Sequence, residues 1–125
     1  MTEKRIILEM GTGNDLYGGD YTKAACRAVQ DALHHSSIVL FKSLGYDHRD
    51  MRVQVTIGVQ QPDKVDAAVV AATLPRGRAE VTVVFGGLDV HDPVQETTHV
   101  IATAAVAALL PIEPEAWRLS APTQG

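Results

Sequence analysis

Apolar and polar residues alternate most regularly between Met51 and Val59. Met51, Val53, Val55, Ile57 and Val59 are separated there by Arg52, Gln54, Thr56 and Gly58. A side-chain period of two predicts a strand with one buried face. Arg5 to Met10 reads as an earlier strand, with Ile6, Leu8 and Met10 on one face, and Ile38 to Gly45 as another. Between these two, Ala25, Ala28, Val29 and Ala32 fall at helical spacing, which predicts a helix over Tyr21–His34 capped by Asp20. Pro62 and Asp63 open a second predicted helix with Val65, Ala68, Val69 and Ala72 inward, ended by Leu74-Pro75-Arg76-Gly77. Ala79 to Phe85 reads as a fourth strand, stopped by Gly86-Gly87. Asp92-Pro93-Val94-Gln95 has the form of a helix start. Val100, Ile101, Ala104, Ala105, Ala108 and Leu109 then fill one face of a third predicted helix.

The order strand, helix, strand, strand, helix, strand, helix predicts an α+β fold. Its simplest form is a ferredoxin-like (split βαβ) antiparallel sheet with an added C-terminal helix. A chain of 125 residues is one domain by length, with a core over about 4–110 and a tail over 111–125. Two helices cover one face of such a sheet. Val39, Phe41 and Val84 point to the other, so the third helix or a second copy is needed there. A homo-oligomer is the expected state.

Composition narrows the classes. Hydrophobic residues are 46% and charged residues 21% of the chain, the balance of a folded globule. A net charge of -4, with no run among the 11 Lys and Arg, argues against nucleic acid as a partner. One cysteine, Cys26, permits no internal disulfide. Val100 to Leu110 is too short to span a bilayer, and no leader pattern opens the chain, so a cytoplasmic location without membrane contact is expected.

Candidate chemistry centres on Gly11-Thr12-Gly13-Asn14-Asp15-Leu16-Tyr17-Gly18-Gly19, read as a turn between the first strand and first helix. Four glycines in nine residues free the backbone for an anion-binding nest beside a helix N-terminus. Gly11, Thr12, Gly13, Asn14, Tyr17 and Gly18 are the candidate ligand-binding residues. Asp15 and Asp20 count against a phosphate, and the spacing is not the dinucleotide fingerprint. A tight self-capped turn accounts for the same residues without a ligand. Asp15 is a candidate catalytic carboxylate. His48, in the polar turn Asp47-His48-Arg49-Asp50, and Lys42, in the second strand, are its candidate acid–base partners. A solvated hairpin for His48, and for Lys42 a side chain that snorkels or pairs with a carboxylate such as Glu9, are the plainer readings of those two. The five histidines show no metal-ligand spacing, and no cofactor motif is assigned.

The segment Leu8 to Gly18, with Asp20-Tyr21-Thr22-Lys23-Ala24-Ala25 and Arg27-Ala28-Val29, resembles a small uncharacterised bacterial and plant family. Its signature is Gly-x-Gly-x-Asp-x-His-Gly. Met51 to Val59, Leu74-Pro75-x-Gly77 and Phe85-Gly86-Gly87-Leu88 resemble later blocks of that family, and Tyr17 replaces its histidine. The likeness brings no activity with it. A more distant architectural likeness is to the repeat units of cyanuric acid hydrolase and barbiturase. It implies a trimer with copies of Lys42 around a shared site.

These readings lead to a homo-oligomeric small-molecule-binding protein with its site between subunits. Hydrolysis of a small polar amide-like metabolite is the reaction its residues would support. The alternative is a non-catalytic assembly or regulatory module that binds a protein partner.

Overall fold

A computed structural model of the chain describes residues 2–34, 51–74 and 78–112. They form a mixed α/β unit: a five-stranded, mostly antiparallel sheet and two α-helices. Strand β1 (Thr2–Asp15) leads to helix α1 (Tyr21–His34). Strand β2 (Arg52–Val59) follows, then a 3₁₀ turn (Pro62–Lys64) and the short helix α2 (Ala67–Ala72). Strands β3 (Arg78–Phe85), β4 (Leu88–Asp92) and β5 (Thr97–Ile112) complete the chain. The expected strand over Ile38–Gly45 lies outside the described residues.

The sheet runs β1-β5-β2-β3, with β4 also paired to β5. β5 is antiparallel to β1, β2 and β4, whereas β2 and β3 are parallel. This corrects the split βαβ expectation of an all-antiparallel sheet. Helix α2 is a crossover between adjacent parallel strands, the connection a parallel pair requires.

The larger correction is β5. The expected third helix is a 16-residue strand, inserted between β1 and β2. Its buried residues are Val100, Ala102, Ala104, Val106, Ala108 and Leu110, a period of two. Alanine stands at both parities, so the same run also satisfies a helical period. Pairing on both sides decides against local helix propensity. The apparent helix start is a hairpin turn. Asp92 accepts from the N–H groups of Val94 (2.9 Å) and Gln95 (3.3 Å), with Glu96 at φ 55°. An Asx turn and a helix cap use the same side-chain acceptor.

Helix α1 forms where its spacing places it. Asp20 accepts from the Lys23 N–H at 3.0 Å, and Ala25, Ala28, Val29 and Ala32 are fully buried. The second helix starts later than expected. Asp66, not Asp63, caps it by accepting from Ala68 (3.1 Å) and Val69 (3.4 Å). Val70, not Val69, is its buried residue.

Both helices pack on one face of the sheet, α1 against β1, the buried row of β5 and the inner row of β2, and α2 against β3 and α1. In β1 that inner face carries Gly11, Gly13 and Asp15, which pair with Ala104, Ala102 and Val100. Leu8 and Met10, expected to share a face, do so on the opposite, outer side of the sheet, where both are exposed. Among the described residues no helix covers that face. No helix of the described residues is long and apolar enough to cross a membrane.

Candidate functional site

Strand β1 runs to Asp15, so the segment read as a turn from Gly11 is strand for its first five residues. Gly11 and Gly13 do not shape a nest. A Cβ on Gly13 would lie 2.2 Å from Ala28 N and 2.3 Å from Ala24 O, and one on Gly11 2.4 Å from Ala32 N. Both glycines let the backbone of α1 settle directly on β1.

Asp15 is the buried charged residue of the described chain, 5% exposed. Its Oδ2 accepts from the Asp20 N–H at 2.8 Å, which ties the carboxylate to the start of α1 and its positive dipole end. Its Oδ1 lies 3.7 Å from the Arg27 guanidinium, whose Nη1 donates to the Asn14 carbonyl at 2.6 Å. A Cβ on Gly18 would lie 2.7 Å from Asp15 Oδ2, so the loop closes over the carboxylate. Tyr17 is exposed, with its ring edge-on to His99 at 6.0 Å between centroids. Lys42 and His48 lie outside the described residues.

The candidate ligand-binding residues therefore divide between two faces. Gly11 and Gly13 face α1, whereas Thr12 and Asn14 face outward with Met10. The outer residues meet others that the sequence did not single out. Cross-strand pairing sets Thr12 beside Thr103, Thr103 beside Gly58, and Gly58 beside Val84. The next row is Met10, Ala105, Thr56 and Thr82. These rows line an open groove of about 530 Å³, walled by Met10, Val84 and Phe85 over the hydroxyl-bearing Thr12, Thr56 and Thr103. Met10 is 67% and Phe85 73% exposed.

One end of the groove is built by the β3–β4 crossing. Gln60 Nε2 donates to the carbonyls of Gly86 (3.0 Å) and Gly87 (3.2 Å), and Gly86 N–H donates to Val59 O at 2.9 Å. Gly87 sits at φ 61°, where a Cβ would lie 2.3 Å from Ile101 O. This crossing requires glycine at position 87 for both its backbone angle and its close approach. The groove offers hydroxyls and backbone groups between apolar walls, a lining suited to holding a guest by shape and a few hydrogen bonds.

A second polar cluster lies on the helical side. Tyr21 OH donates to Asp89 Oδ2 at 2.5 Å and accepts from Gln61 Nε2 at 2.9 Å. Burial, then the hydrogen bond to Asp89, raises the Tyr21 pKa above its ordinary 10.0. The phenol is a fixed donor that clamps β4 to α1. Burial first, and then the nearby Asp20 charge, raises the Cys26 thiol above its ordinary 9.0, as expected of core filler rather than a nucleophile. No cluster of metal-ligating side chains occurs among the described residues.

The pattern of residues 5–108 matches the model of a family of conserved hypothetical proteins, Lin0512_fam. The chain belongs to this family. It is also similar to a crystal structure described as an FtsZ-like protein of unknown function from Nostoc punctiforme PCC 73102. Identity is 36%, over 90% of this chain and 99% of that one, with a TM-score of 0.79. None of the curated proteins compared with the chain matches it. The description of the family assigns no activity.

Proposed function

We propose that this member of the Lin0512_fam family is a homo-oligomeric small-molecule-binding protein whose working surface is the outer face of its sheet. The observation that carries the reading is that face itself. Leu8, Met10, Val84, Leu88 and Val90 are exposed on it, and no described element covers them. Contiguous exposed apolar residues with a polar rim mark interaction surfaces.

Charge fits a second copy as the cover. Arg5 and Arg78 share the row at one end of the face with Arg52, which already bridges Glu80 at 3.0 Å, and the turn with Asp92 and Glu96 lies at the other end. Copies packed with opposite ends facing bring these groups together, and the groove becomes a site between subunits.

Hydrolysis by Asp15 is the weaker element of the reading. Its carboxylate is engaged by its own helix, so an acid–base role would need it released or supplied by another residue. That engagement favours, as a second reading, a non-catalytic assembly module using the same face.

Sedimentation velocity tests the shared part. The wild-type chain is expected to sediment as an oligomer. A Met10→Asp, Val84→Lys double variant is expected to sediment as a monomer with unchanged far-UV circular dichroism. A wild-type monomer at 100 μM (roughly a hundredfold above a micromolar Kd) would sink the proposal.

A further inference from the structure

We infer that the outer-face groove takes a planar heteroaromatic guest that carries no negative charge and has hydrogen-bonding groups on its rim. The inference rests on the proposed reading only for the outer face as the working surface, and it does not need a second copy to close the groove.

Size comes first. A space of about 530 Å³ lies in the range of small-molecule sites and admits a bicyclic ring with a substituent.

Wall chemistry comes second. Val84 stands at one wall, with Met10 and Phe85 exposed at the mouth. Methionine adapts its shape to a flat apolar surface, and phenylalanine favours ring contacts.

The floor comes third. The hydroxyls of Thr12, Thr56 and Thr103 each donate and accept, so they match an amide or ring nitrogen in either sense. Thr103 Oγ1 stands over Gly58, where a Cβ would come within 2.7 Å of it. The missing side chain at Gly58 leaves room for that hydroxyl on the groove floor.

Charge comes last. Asp31 is the one charged residue among those lining the groove, and its Oδ2 already accepts from the Thr12 N–H at 3.0 Å. An anionic guest would lose water there beside a like charge and with no cationic side chain in the lining to offset the loss. A neutral guest has no such cost.

The test is isothermal titration of the full chain with three probes of one shape: quinoline-4-carboxamide, quinoline-4-carboxylate and N-methylquinolinium-4-carboxamide. Sedimentation velocity in the same buffer reports the assembly state. The neutral amide is expected to bind at least tenfold tighter than the carboxylate, and the cation to bind tighter than the carboxylate as well. Thr103→Val keeps the shape but not the hydroxyl and should weaken it at least fivefold. Ala105→Trp, an outward strand position, should abolish binding by filling the groove. No binding by any probe, equal binding by all three, or binding unaffected by either variant overturns the inference. An oligomer that binds none of them leaves the assembly reading intact. A monomer that binds in the expected order overturns that reading and keeps this one.

Discussion

At the scale of single residues, two side-chain arrangements carry most of the local specificity. The first is the absence of a side chain at Gly13. Its missing Cβ would meet backbone atoms of Ala24 and Ala28, which cannot rotate away as a side-chain tip can. Gly13→Ala is therefore expected to destabilise the fold by about 3 kcal/mol, at the upper end of overpacking costs, read as a lower urea midpoint. A loss below about 0.5 kcal/mol would show that α1 can lift without penalty. The second is the Tyr21–Asp89 hydrogen bond. Tyr21→Phe leaves a carboxylate beside α1 without its donor, at a cost of about 2 kcal/mol. The pH dependence has a definite sign. The folded Tyr21 pKa lies above 10.0, so the native state keeps a proton that the unfolded chain releases. This contribution is fully present below pH 10 and is lost as pH rises through the folded value. Wild-type stability should then converge on that of Tyr21→Phe in alkaline urea titrations. A gap that stays constant to pH 12 contradicts the assignment.

At the scale of elements, β5 decides the architecture. It pairs with β1 on one side and with β2 and β4 on the other, so it is structural centre rather than appendage. Deleting residues 97–112 is expected to abolish cooperative unfolding by circular dichroism. A separate C-terminal helix would have been dispensable, and a folded truncation would contradict the central placement. Much of the remaining fold was legible. Helix α1 announced itself because its buried positions are small and its exposed ones charged, and β2 because only one of its parities is apolar. β5 hid because alanine satisfies both periods, and Asp92 because one side-chain acceptor serves a turn and a cap alike. The turn reading failed at Gly11 and Gly13 for a related reason. Glycine signals an unusual backbone or a close neighbour, and composition alone does not separate them. Gly11 and Gly13 are the second kind. The groove was the least legible feature, since Thr12, Thr56 and Thr103 come from three strands and meet only through register.

At the scale of the whole molecule, the sheet is asymmetric among the described residues: two helices cover one face, and no described element covers the other. A hydrophobic surface left exposed in a monomer raises the free energy of that monomer, and association removes the cost. If copies cover the outer face, folding and assembly share one equilibrium, and stability must depend on protomer concentration. Melting temperature should then rise by several degrees between 1 μM and 100 μM chain (about a 3 kcal/mol change in the mass-action term per dimer formed). The Met10→Asp, Val84→Lys variant should show no such rise, because a charged outer face neither needs nor tolerates a partner. It should also melt at nearly the same temperature as dilute wild type, since both residues are exposed in the single copy. A concentration-independent wild-type melt would mean that the open face is stable in water as it stands. The apolar rim around the groove would then serve a guest alone rather than a neighbour.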